Sequence, residues 1–126
     1  VFDFIQETIV FDPENVYMGG GSGGAWKAYH YSAWVDYPWA GIYANGGWLG
    51  VPEKYYGLDY RDNMKVAIVN GNNDHANRVV EEDLKVLKKH NADVSVISFE
   101  GGHQTPPTKI QIRAFQWLLN PEEFEQ

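Results

Sequence analysis

Ser22 stands among five glycines in the run "GGGSGG" spanning residues 19–24, and its hydroxyl is a candidate nucleophile. A free serine hydroxyl attacks poorly at neutral pH, so this role needs a general base within hydrogen-bond reach and a third group to orient the base. The chain offers both further on, with Asp74 in "VNGNNDHANR" and His103 in "FEGGHQTPP". Residues 20–24 fit G-x-S-x-G, a pattern that has mechanical meaning where a strand turns sharply into a helix. On such a turn the serine backbone is strained and its neighbours must be small. The turn lifts the hydroxyl above the sheet and aims the Gly23 amide and the helix N-terminus at one point, where a developing oxyanion would be held. The same letters also spell a flexible Gly/Ser linker. A linker, however, has no need of a buried strand on one side and an amphipathic helix on the other.

The surrounding elements are therefore decisive. "VFDFIQETIVF" places Ile5 and Ile9 four apart and predicts a short helix over residues 1–11 that stops at Asp12-Pro13. "NVYM" is too short for a helix and predicts a buried strand over residues 16–18, ending at Gly19. Ala25, Tyr29 and Ala33 predict a helix from Gly24 to about Trp34, closed by Asp36, Tyr37 and Pro38. A second strand follows over residues 40–44, then a long aromatic-rich loop through Trp48, Tyr55, Tyr56 and Tyr60. "KVAIVNG" reads as a third strand, residues 76–90 as a helix with Val80, Leu84 and Leu87 on one face, and "DVSVISF" as a fourth strand. The last helix opens at Pro106-Pro107, where a missing N–H costs little, and closes at Asn120-Pro121.

This alternation predicts an α/β fold: a mostly parallel sheet of about four strands with helices on both faces, forming one domain over residues 1–126. In a parallel sheet the C-terminal ends of all strands share one edge. Ser22, Asp74 and His103 each follow a predicted strand, so they converge there.

Other residues compete for roles. His75, beside Asp74, would combine with it and His103 as metal ligands, although no spacing such as H-E-x-x-H accompanies them, and no metal or cofactor is expected. His30 reads as a packing or surface residue within its helix. His90 falls at a helix C-terminus, where a cation is favourable without any catalytic role. Trp48 would stand beside the serine, either as a stacking platform for a flat acyl group or as a packing residue; Trp26 reads as core. Arg78 would orient a carboxylate substrate or cap its own loop. Asp59, Asp62 and Asp93 lie away from the required loop or at a strand start, leaving Asp74 as the acid.

Composition narrows the function classes. With 10 basic against 17 acidic residues the net charge is −7, which argues against a nucleic-acid partner. No apolar run reaches the roughly 18 to 20 residues of a membrane span, and "VFD" lacks the basic start of a secretory signal. The hydrophobic content of 44% is that of a chain that buries a core. The absence of cysteine rules out a disulfide and leaves the compartment open.

From Asp12-Pro13 onward, "DPENVYMGGGSGGAW", "VAIVNGNNDHANR" and "FEGGHQTPP" together resemble the C-terminal half of an α/β-hydrolase, close to the esterase, dienelactone-hydrolase-like and prolyl-oligopeptidase-like branches. The resemblance implies Ser22 as nucleophile, Asp74 as acid, His103 as base and the Gly23 amide as one oxyanion donor. It implies a serine hydrolase acting on a small-molecule carboxylic ester. Family members usually have about eight strands, with the second oxyanion amide in a loop after the third. Four strands are counted here, so that donor is expected to be missing or rebuilt. The strand over residues 16–18 would be internal in the family's sheet, flanked by strands this chain lacks. An unpaired apolar edge invites association, so a homodimer, or pairing with a missing N-terminal half, is expected. The alternative is a catalytically silent fragment whose aromatic loop, residues 39–60, binds a carbohydrate or hydrophobic ligand.

Overall fold

The computed structural model describes residues 15–35, 37–50 and 60–119. The helix expected over residues 1–11, most of the aromatic loop including Tyr55 and Tyr56, and Asn120-Pro121 lie outside the described residues. Four strands, β1 (Tyr17–Gly21), β2 (Gly41–Asn45), β3 (Lys65–Gly71) and β4 (Asp93–Phe99), form one sheet in the order β1-β2-β3-β4, every pair parallel. The crossovers carry α1 (Gly23–Trp34) and a 3₁₀ turn (His75–Val79) that runs into α2 (Val80–Lys89); α3 (Thr108–Leu119) follows β4.

β3 explains the layering. Its Val66 and Ile68 join the core formed with Ala25, Ala28 and Tyr29 of α1 and Leu87 of α2. Its Ala67 and Val69 join Ala114, Trp117 and Leu118 of α3 on the opposite face. A strand covered on both faces has no solvent side, which is why "VAIV" is an unbroken apolar run. The structure is thus the expected α/β sheet with helices on both faces. α2 also follows its macrodipole, with Glu81, Glu82 and Asp83 in the first turn and Lys88 and Lys89 in the last.

β3 and β4 have the expected bounds, whereas β1 does not. It runs three residues past Met18 through Gly19, Gly20 and Gly21, which pair with Tyr43, Ala44 and Asn45 of β2. Glycine is a poor strand former, but here close approach requires it: a Cβ on Gly20 would stand 2.4 Å from the Gly24 carbonyl carbon. The helix expected over residues 76–90 is divided, because the Asp74 side chain caps a 3₁₀ turn before α2 begins. β1 does have a neighbour in this chain, β2, and among the described residues it forms one end of the sheet rather than an inner strand.

Candidate active site

Ser22 occupies the single residue between β1 and α1, with φ 56° and ψ −122°. A non-glycine residue there carries about 1–3 kcal/mol of backbone strain, which persists only when its surroundings enforce it. The Ser22 amide donates to the Asn45 carbonyl at 2.7 Å, and the Ser22 carbonyl accepts from the Ala25 amide at 3.0 Å. The turn is thereby tied to β2 on one side and to α1 on the other. Gly23, the first residue of α1, has no intrahelical acceptor for its N–H.

The Ser22 hydroxyl Oγ lies 2.8 Å from His103 Nε2. On the other side of the ring, His103 Nδ1 lies 3.1 Å from each carboxylate oxygen of Asp74. A carboxylate offers only acceptors, so this network assigns the imidazole proton to Nδ1 and leaves Nε2 to accept from the serine. The Asp74 side chain is fully buried and that of His103 is 36% exposed. Burial of the acid is compensated, because Asp74 Oδ1 also accepts from the Ala76 amide at 2.9 Å. The three residues predicted from the sequence therefore meet, across three loops at the C-terminal ends of β1, β3 and β4.

Residues that sequence reasoning overlooked hold these loops in register. Gly46, after β2, has φ 64°, and a Cβ there would stand 3.0 Å from Asp74 Oδ2 and 3.1 Å from the His103 ring. Its amide donates to Asn70 Oδ1 at 2.8 Å. The Asn70 side chain donates in turn to Asn77 Oδ1 at 3.2 Å, and Asn77 donates to the Gly71 carbonyl at 2.7 Å. Asn45 donates to the Val69 carbonyl at 2.8 Å. Asn70 is 1% exposed and follows the apolar run of β3 as its next-to-last residue. A buried amide at the tip of such a run is the signal that marked it.

A cleft of about 350 Å³ opens on Ser22 and His103 and is lined by Gly23, Trp26, Lys27, Gly46, Gly47, Trp48 and His75. A second hollow of about 340 Å³ meets the same serine and histidine from the side of Gln104 and Thr105. Trp48 lines the same cleft as Ser22, 39% exposed, with its ring edge-on to His75 at 5.8 Å. Trp26 is not core: at 41% exposed it forms part of the cleft wall and stacks on His30 at 3.7 Å. The reason is helical phase, since Ala25, Ala28, Tyr29 and Ser32 take the buried face of α1. His30 is buried, as the packing reading expected, and His90 caps the C-terminus of α2. Arg78 is exposed on the 3₁₀ turn and lines neither hollow. Trp39 and Tyr60, at the two ends of the aromatic stretch, are core residues. Asp59 lies outside the described residues, Asp62 accepts from Asn91 at 3.2 Å, and Asp93 opens β4.

No protein-family model and no curated protein sequence matches the chain. Solved structures do. A carboxylesterase of Bacillus cereus is similar at 24% identity with a TM-score of 0.68, over 86% of this chain and 50% of that one. SOBER1 of Arabidopsis thaliana is similar at 18% identity with a TM-score of 0.67, over 99% and 59%. The S-formylglutathione hydrolase FrmB of Staphylococcus aureus is similar at 13% identity with a TM-score of 0.66, over 94% and 57%. The chain thus spans between half and three fifths of these structures. Their likeness bears on architecture, and by it this chain has part of an α/β-hydrolase fold.

Proposed function

We propose that the chain is a serine hydrolase that cleaves carboxylic esters through an acyl-enzyme. The observation that carries this reading is the Ser22–His103–Asp74 relay, with its 2.8 and 3.1 Å links, built on a serine held in a strained turn. Structures named as a carboxylesterase and as esterase PE8 share the fold and support it.

In the first half-reaction the Ser22 oxygen bonds to the ester carbonyl carbon while its proton passes to His103 Nε2. Asp74 holds the ring and stabilises the imidazolium. The Gly23 amide faces the negative charge that develops on the carbonyl oxygen. As the intermediate collapses, the carbon–alkoxy oxygen bond breaks and His103 returns the proton to the leaving alcohol. A water, deprotonated by His103, then bonds to the acyl carbon; the carbon–Ser22 oxygen bond breaks, His103 returns the proton to the Ser22 oxygen, and the acid leaves. The two hollows that meet at Ser22 provide room for the two sides of the ester, with Trp26 and Trp48 walling one of them.

Turnover of activated aryl esters tests the reading. Ser22→Ala and His103→Ala each lower turnover by about 10⁴-fold or more, and Asp74→Asn by a similar factor. Undiminished turnover in Ser22→Ala refutes the assignment.

The same proposal includes a second copy of the chain docked along β1. That strand ends the sheet among the described residues, and an apolar groove runs beside it. Its outer backbone groups offer a template for pairing.

A further inference from the structure

His75 takes no part in the relay, yet its Nδ1 lies 3.6 Å from Asp74 Oδ1, the oxygen that His103 Nδ1 approaches at 3.1 Å. The two imidazole centroids are 4.6 Å apart. One ligand atom from each of Asp74, His75 and His103 lies within 4.8 Å of the others. Zinc bonds of about 2.0–2.1 Å at tetrahedral angles place neighbouring ligand atoms roughly 3.3 Å apart. The two separations from Asp74 Oδ1, 3.1 and 3.6 Å, bracket that spacing, and the third, between the two imidazoles, lies within 4.8 Å. Two imidazoles and a carboxylate with an open fourth position form a zinc-binding donor set. The carboxylate is fully buried, whereas the His75 side chain is 53% exposed and that of His103 is 36% exposed. A hydrated ion therefore has a path of entry and room to keep a water.

We propose that Asp74, His75 and His103 bind a zinc ion, and that the bound ion switches off the relay by reversing the tautomer of His103; the switch, though not the binding, rests on the hydrolase reading. Zinc takes the Nδ1 lone pair, so that nitrogen can no longer carry the proton it donates to Asp74. The neutral ring keeps one proton, and it moves to Nε2. No proton is gained or lost: zinc gives up water molecules, and Nδ1–H becomes Nε2–H. A protonated Nε2 donates to Ser22 instead of accepting from it, and the serine loses its base. His75 is the residue that separates the two functions, because it would be a metal ligand and is no member of the relay, although it also lines the cleft.

Zinc binding is measured by calorimetry on the full chain, on Ser22→Ala and on His75→Ala. The expected result is one zinc per chain in the first two. In His75→Ala affinity falls by at least the roughly 10- to 100-fold that loss of even an outer-shell partner costs. Nitrogen NMR of His103 should show the proton leaving Nδ1 for Nε2 as zinc is added. Ester turnover should fall as zinc saturates the native chain, and a chelator should restore it. Zinc affinity unaltered by His75→Ala overturns the site, and full turnover at saturating zinc overturns the switch. Zinc binding through His75 in a chain that cleaves no ester upholds the site and refutes the hydrolase reading instead.

Discussion

Two hollows of this molecule are built by different means. The cleft at Ser22, about 350 Å³, is framed by loops at strand ends and tied together by hydrogen bonds from Asn45 to Val69, Gly46 to Asn70, Asn70 to Asn77 and Ala76 to Asp74. The groove beside β1, about 560 Å³, is larger and is lined by Tyr17, Met18, Tyr43, Phe115, Leu118 and Leu119 around bare glycine backbone. The larger hollow holds no nucleophile and no base. Size reports where apolar surface lies uncovered, whereas chemistry needs convergent polar groups whose positions are over-determined. The cleft owes its form to satisfied polar contacts; the groove owes its form to a strand edge without a neighbour among the described residues.

Substitutions break this comparison in order of effect. Gly20→Ala strikes the cleft hardest, because its Cβ would stand 2.4 Å from the Gly24 backbone and neither main chain yields freely. The expected cost is about 1–3 kcal/mol of stability in denaturant unfolding. Displacement of Ser22 by about 1 Å lowers turnover about 10²-fold further. Gly24→Ala, in the same motif, meets nothing within 4 Å. It should stabilise α1 by about 0.5–1 kcal/mol and leave turnover intact. If both variants behave alike, the close strand-to-helix approach is not what shapes the turn. Phe115→Glu places a charge in the groove, where Phe115 is 45% exposed. Light scattering at micromolar concentration should show paired native chains and single Phe115→Glu chains with unchanged turnover per chain. A native chain that is already single at that concentration removes the second copy from the account.

Much of this was legible in the residues themselves. "KVAIVNG" and "DVSVISF" have the bounds of β3 and β4, since a run covered on both faces, or β-branched and bounded by polar turns, admits little else. The meeting of Ser22, Asp74 and His103 follows from chain order alone once the sheet is parallel. What escaped depends on close approach and on phase. Gly19 to Gly21 carry no strand signal, because their membership in β1 is decided by α1 crossing above Gly20. Trp26 looks like core by composition, but it lies on the cleft side of α1. Gly46 supports the Asp74–His103 pair through the side chain it lacks, and only the folded chain brings those atoms to it.

The central claim is that this sheet edge assembles a working nucleophile at Ser22, and reaction with a fluorophosphonate tests it most directly. Intact mass of the full chain should show one adduct, mapped to Ser22 and lost in both Ser22→Ala and His103→Ala. A folded native chain that takes up no adduct, or an adduct that persists in Ser22→Ala, would contradict the account.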